Sequence, residues 1–169
     1  MIKFLPWYLV LASMLILPKS FAQNTRLLRQ PSISDKHVVF VYAGDIWITD
    51  LSVQDNKKLT SKRLTSTDAV ESHPHFSPDG QRIAFSSNRS GTNSVYVMSS
   101  VGGQANRLSW HAAGGSVRGW TPDGQTVLFA SGRDTAPRPI NRLCTIPFTG
   151  CLSEFVLTHW SLHGAYADD

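Results

Sequence analysis

The chain is 169 residues long and 41% hydrophobic, with 16 Lys and Arg against 12 Asp and Glu and a formal charge of +4. That excess is small and its residues are scattered rather than clustered, which argues against a nucleic-acid partner. The only cysteines, Cys144 and Cys151, do not form a metal-type pairing.

Residues 1–22 stand apart from the rest. Lys3 gives a short basic start, and Phe4 to Leu17 is apolar apart from Ser13. That length suits the hydrophobic region of a signal peptide and is too short for a confident membrane span. Ser20 and Ala22 place small residues at the two positions that cleavage reads. The segment is therefore expected to be removed after Ala22; an N-terminal anchor that stays attached is the alternative. Removal takes away Lys3 and Lys19, leaving 14 basic and 12 acidic residues and a charge of +2. Nothing after Ala22 is long and apolar enough to span a membrane. The mature chain, 23–169, is expected to be exported, periplasmic or secreted in a bacterium, and is long enough for a core.

The mature chain repeats. Phe76-Ser77-Pro78-Asp79-Gly80 is followed by Gln81-Arg82-Ile83-Ala84-Phe85. Forty-four residues later, Trp120-Thr121-Pro122-Asp123-Gly124 is followed by Gln125-Thr126-Val127-Leu128-Phe129. Pro78 and Pro122 preset φ for a type I turn, and Gly80 and Gly124 accept a positive φ after it. β-branched and aromatic residues then predict a strand. A second strand follows at Ser94 to Met98 and at Leu143 to Ile146. Each unit closes on a short strand, Asn106 to Ser109 and Phe155 to Thr158. A degenerate earlier copy has Pro31 to Lys36 in place of the turn, two residues shorter. It continues with Val38 to Tyr42, Asp45 to Ile48 and Arg63-Leu64-Thr65.

Three repeats are thus placed at about 27–66, 72–110 and 116–160, and a fourth begins near His163. A period in the forties with this turn marks propeller blades. The predicted fold is all-β: an incomplete β-propeller of about three four-stranded antiparallel blades plus the start of a fourth. Strand centres are expected near Phe40, Ile48, Phe85, Tyr96, Phe129 and Ile146, with no helix after the signal segment. Propellers close with four to eight blades, so a longer protein is expected, of which this is the N-terminal piece.

The run Leu28 to Ser34, then Val38-Val39-Phe40-Val41-Tyr42-Ala43-Gly44-Asp45-Ile46-Trp47, resembles the start of the first propeller of tricorn-like serine proteases. Arg63 to Ser66, Glu71 to Gly80 and Ile83 to Gly91 are similar to that family's second repeat. The Ser-Pro-Asp-Gly unit is shared with TolB-like propellers, whereas the Tyr-Ala-Gly-Asp-Ile-Trp run points to the tricorn group. The resemblance implies a multidomain protease whose propellers filter or channel peptides. The PDZ-like module and catalytic domain lie downstream, so no catalytic position carries over to this chain. The partners implied are a peptide or protein substrate, or the downstream protease domains. The alternative is a TolB-like periplasmic protein-binding module.

No catalytic, cofactor or metal residue is assigned. Gly114-Gly115-Ser116-Val117-Arg118 fails the nucleophile-elbow pattern at its last position and reads as a link between blades. His73 and His75 are expected on opposite sides of an extended segment, and His111, His159 and His163 near repeat ends. Asn88 to Gly91 is expected as a loop between strands. Arg89 and Arg133 occupy matching loops and either line one face of the ring or are solvated. Trp47, Tyr96 and Thr145 are aligned on the second strand. Cys144 and Cys151 flank a hairpin turn; a disulfide and two free thiols, with Cys144 as a core residue at the Val95 position, are both open.

Overall fold

The computed structural model describes residues 28–52, 59–135 and 140–156. They form twelve strands in three sheets, each an antiparallel meander, with no helix among the described residues. The first blade contains β1 (Arg29–Ile33), β2 (His37–Tyr42), β3 (Asp45–Asp50) and β4 (Ser61–Arg63). The second contains β5 (Glu71–Phe76), β6 (Arg82–Ser90), β7 (Thr92–Ser99) and β8 (Asn106–Arg107). The third contains β9 (Ser116–Trp120), β10 (Thr126–Ser131), β11 (Arg142–Pro147) and β12 (Glu154–Phe155). The incomplete all-β propeller is therefore the observed architecture, and all six expected strand centres fall within strands. The expected signal peptide at 1–22 and the fourth repeat near His163 lie outside the described residues.

The repeated turn is held by its own side chains. Gly80 N donates to Ser77 O at 2.8 Å, closing the turn, and Gly80 sits at φ +66°. The Ser77 hydroxyl donates to Asp79 Oδ1 at 2.5 Å, and the same oxygen accepts the Gln81 amide at 3.0 Å. Thr121, Asp123 and Gln125 reproduce this set at 2.5 and 3.0 Å, with Gly124 also at φ +66°. Those hydrogen bonds favour the charged carboxylate, so Asp79 and Asp123 are held below the usual carboxylate range, the hydroxyl bond being the largest cause in each. A Cβ on Gly80 would meet Ser34 of the first blade, and one on Gly124 would meet Pro78 of the second. Successive turns thus stack along one end of the ring.

The core lies between blades rather than within them. Alternate residues of each strand point to opposite faces of a sheet. Val39 and Ile46 of the first blade pack against Phe76, Ile83, Phe85, Tyr96 and Met98 of the second. Ala84, Val95, Val97 and Leu108 of the second pack against Val117, Trp120, Val127, Phe129, Cys144 and Ile146 of the third. The strand nearest the ring axis also joins blades, since β5 packs against both β1 and β9.

Three sequence expectations need correction. The strand that opens each repeat after the turn is the blade's second, not its first. The first is β1, β5 or β9, which precedes the turn and lacks clean alternation because it is bulged. Register shifts between Arg29 and Ser32 and between Ser72 and His75, with Gln30 at φ 53° and His73 at φ 52°. That shift also replaces the simple opposition expected of His73 and His75. Next, Asn88 to Ser90 belong to β6, and only Gly91 turns. Finally, the third blade is shifted by one residue. Phe129 pairs with Cys144 as Phe85 pairs with Tyr96 and Phe40 with Trp47. Cys144, not Thr145, therefore stands at the Trp47 and Tyr96 position. The longer connection between β10 and β11 hid this offset, and a one-residue slip exchanges the two faces of a strand.

Cys144 and Cys151 are both free, the first buried and the second exposed. Burial pushes the Cys144 thiol above its ordinary value. In the native chain, maleimide labelling followed by mass spectrometry is expected to modify Cys151 within minutes. Cys144 should react only after denaturant is added.

Candidate functional site

At the end of the blades opposite the Pro-Asp-Gly turns, a carboxylate is completely buried between the first two blades. Glu71 is 0% exposed. Its Oε1 accepts from Arg89 Nη2 at 2.8 Å, Thr67 Oγ1 at 2.9 Å and Ser87 Oγ at 3.1 Å. Its Oε2 accepts from Thr65 Oγ1 at 3.0 Å. Thr65 Oγ1 in turn accepts the Ile46 amide at 2.9 Å, and Glu71 N donates to Gly44 O at 2.7 Å. The carboxylate thereby ties the first blade to the second. Four donors offset the desolvation that a buried charge incurs. The Arg89 guanidinium lies 4.8 Å from the Tyr96 ring centre and 5.3 Å from that of Phe85. Arg89 is therefore an internal latch, neither a face-lining nor a solvated loop arginine.

A second arginine motif repeats beside it. Arg63 Nε donates to Thr65 O at 2.7 Å, and Arg107 Nε donates to Ser109 O at 2.7 Å. Each reaches the start of the neighbouring strand, Arg63 to Asp45 Oδ2 at 2.7 Å and Arg107 to Ser94 Oγ at 3.0 Å. In the third blade the register puts Phe155 at this position. Arg133 and Arg142 then stack on Phe155, at 4.4 and 4.2 Å from its ring centre.

The third blade lacks the buried acid. Gly115 stands at the Glu71 position and repeats its backbone bond, donating to Asn93 O at 2.6 Å. A Cβ on Gly115 would lie 2.9 Å from Phe129, and one on Gly114 would lie 2.7 Å from Asn93 O. The two glycines are thus the close link between blades that their sequence suggested. A cleft of about 350 Å³ opens beside them, lined by Asn93, Ala113, Ser116, Ser131 and Asn141. Arg133 turns away from it, donating through Nη2 to Ser153 O at 2.6 Å and through Nη1 to Ser153 Oγ. Arg89 and Arg133 are at matching positions, but different partners hold them.

Along the ring axis, Gln30 Oε1 accepts the His73 amide at 2.8 Å, Ser32 Oγ accepts the Phe76 amide at 3.2 Å, and the Trp120 indole donates to His75 O at 3.0 Å. His75 is depressed to about 4, first by burial and then by the charges of His73 and Arg118. It is neutral at physiological pH. His111 is elsewhere, exposed on the loop after β8, where its Nδ1 accepts the Ala113 amide at 3.1 Å. His159 and His163 lie outside the described residues. No cluster of three or more His, Cys, Asp or Glu suited to a metal ion occurs among the described residues. The sequence reading missed Glu71; its signal was an acid opening one strand where the next repeat has glycine.

A profile of the tricorn protease N-terminal beta propeller domain matches residues 25–169. The chain belongs to this family. Tricorn protease homolog 1 of Streptomyces coelicolor is 33% identical over 105 residues, covering 62% of this chain and 9% of that protein. The uncharacterized peptidase YuxL of Bacillus subtilis is 36% identical over 88 residues, covering 52% of this chain and 13% of YuxL. Among solved structures, the tricorn protease superposes with a TM-score of 0.70 at 22% identity, covering 84% of this chain and 14% of that one. A putative TolB from Agrobacterium tumefaciens superposes with a TM-score of 0.65 at 20% identity, covering 79% and 47%. These likenesses agree on the propeller fold, and the chain spans only a small part of the curated relatives it matches.

Two variants test the energetics. Glu71→Ala leaves Arg89, Thr65, Thr67 and Ser87 without their shared acceptor and is expected to destabilise by about 3 kcal/mol in urea unfolding. Arg63→Ala breaks a bridge whose arginine side chain is 46% exposed and should cost under about 1 kcal/mol. His75 gives a pH dependence. Its folded pKa, about 4, is below its unfolded value of 6.5, so the unfolded chain binds the extra proton. Stability is then complete above pH 6.5 and falls as the pH drops toward 4, by at most about 3 kcal/mol. Urea midpoints across that range should lose this component in His75→Gln.

Proposed function

We propose that this chain is a non-catalytic propeller segment of an exported tricorn-like serine protease, serving substrate access or domain assembly. The observation that carries this reading is the family match over 25–169, in a chain that spans 9% of a tricorn protease homolog. The chemistry of the described blades supports it. Glu71, Arg89, Ser87 and Thr65 are committed to one another, and Asp79 and Asp123 to their own turns. Acyl transfer needs a nucleophile, a base within about 3 Å and oxyanion donors held together. In this reading those groups belong to downstream domains, and the propeller controls what reaches them.

A second reading is a periplasmic protein-binding propeller with no protease attached, favoured by the TolB likeness. The reading frame beyond Asp169 separates the two. A PDZ-like module and a protease domain support the first, and a stop after a completed ring supports the second.

The purified chain is expected to hydrolyse no peptide. The assay is a broad fluorogenic peptide library with and without a serine-directed covalent probe. Turnover abolished both by the probe and by one Ser→Ala change in this chain would overturn the reading. The same preparation, made from the exported fraction, should begin at Gln23; retention of residues 1–22 would overturn cleavage after Ala22.

A further inference from the structure

The turn after the third strand of a blade comes back toward the outer strand of the blade before it, and the two such junctions differ. Pairing register places Asn106 of β8 at the position of Lys62 in β4, since they oppose Val97 and Ile48. Gly102 N donates to Ser99 O and Gly150 N to Pro147 O, both at 3.0 Å, so Gly150 stands where Gly102 does. Between the first two blades the junction is closed. Lys62 Nζ donates to Val101 O at 2.9 Å, and a Cβ on Gly102 would lie 3.5 Å from Leu64. Between the second and third blades it is open. Asn106 lacks the reach of a lysine, and a Cβ on Gly150 would meet nothing within 4 Å. A cavity of about 590 Å³ lies there, lined by β8 on one side and the 148–150 turn on the other.

The lining carries one sign of charge: it includes Arg82 and Arg107 and no Asp or Glu. The Arg107 guanidinium is committed elsewhere, to Ser109 O and Ser94 Oγ. That of Arg82 lies 4.1 Å from the centre of the Phe148 ring. Its one side-chain hydrogen bond to a described residue runs from Nη1 to Asp79 Oδ2 and is long, 3.4 Å. Asp79 Oδ1 is already held by Ser77 and Gln81. Nε and Nη2 of Arg82 are therefore without a partner among the described residues, and that edge of a guanidinium takes a carboxylate through two parallel bonds. Val97 and Leu108 supply an apolar floor, and Gln81 and Gln104 supply amides that both donate and accept, as peptide groups do. The volume falls in the range of ligand sites.

We propose that this cavity, on the outer rim between the second and third blades, binds an acidic peptide segment. Its Asp or Glu carboxylate pairs with Arg82, and a neighbouring apolar side chain lies over Val97 and Leu108. Charge complementarity selects the acid. The amides beside the apolar floor select a peptide over a bare anion. Side chains rather than a strand ladder hold it, because β8 is two residues long. The site lies away from the ring axis, so it is a docking point for a protein approaching from outside, whichever reading of the whole protein holds.

Fluorescence anisotropy on the purified chain tests this. The probe is a Gly-Leu-Glu-Leu-Gly peptide carrying a neutral fluorophore and an amidated C-terminus. It is expected to bind at low salt and to weaken as salt rises. Arg82→Gln should lower the affinity by about tenfold. Replacing the peptide's Glu by Gln should cost as much on the parent chain and little more on the variant, because both changes remove the same pair. Asn106→Lys, which rebuilds the lysine bond to the facing turn, should also lower the affinity by about tenfold with the urea midpoint preserved. No binding at millimolar peptide would overturn the proposal, as would equal affinity for the Glu and Gln peptides or unchanged affinity in either folded variant. Glutarate binding as tightly as the peptide would make the cavity a small-anion site and overturn the peptide assignment. If Arg82→Gln fails to fold, Asn106→Lys and the Gln peptide decide the matter.

Discussion

A blade is a thin sheet with two apolar faces, and neither face is buried until another blade covers it. Everything else in this structure follows from that constraint. Phe85, Ile83 and Val39 are 0% exposed because two sheets meet over them, not because one sheet folds on itself. The faces are unlike. The side turned toward the preceding blade carries Phe85, Tyr96 and Ile83, or Phe129, Trp120 and Val127. The side turned toward the following blade carries smaller groups, Ala84, Val95 and Val97. Rings therefore fill the space left by small aliphatic side chains, at the density a protein interior requires. Stability in such an array is largely a sum of neighbour contacts.

Polar bonds at the blade ends fix which parts of the faces meet. Glu71 does this between the first two blades, where a single carboxylate gathers donors from both. Between the second and third blades, Gly115 keeps the backbone bond to Asn93 and gives up the side chain. The backbone contact is general to the repeat, whereas the buried acid is particular to one junction. Breaking the acid's network leaves an uncompensated arginine, so that junction depends strongly on a pair whose net contribution need not be large. The arginine of the third blade is held instead by Ser153 and by the Phe155 ring.

The outer edges of the described blades are guarded against pairing with other chains. The outer strands β4, β8 and β12 are two or three residues long and include Lys62, Arg63, Arg107 and Glu154. Short, charged edges resist pairing with other chains.

Local chemistry made much of this fold legible in the sequence. Pro78-Asp79-Gly80 and Pro122-Asp123-Gly124 set their turns through bonds within five residues, and Phe40, Phe85 and Phe129 mark the strands after them. Neither depends on a distant part of the chain, so each could be read from the residues alone. The tertiary structure decided what depends on pairing. The bulged axial strands with His73 and Pro74 carry no clean alternation, and their place is set by the blades on either side. The third-blade register moved Cys144 to the Tyr96 position, because ladder bonds rather than residue counts align strands across a long loop. The burial of Glu71 and the inward turn of Arg89 required two blades in contact. A charged residue reads as solvated until the structure shows which donors surround it.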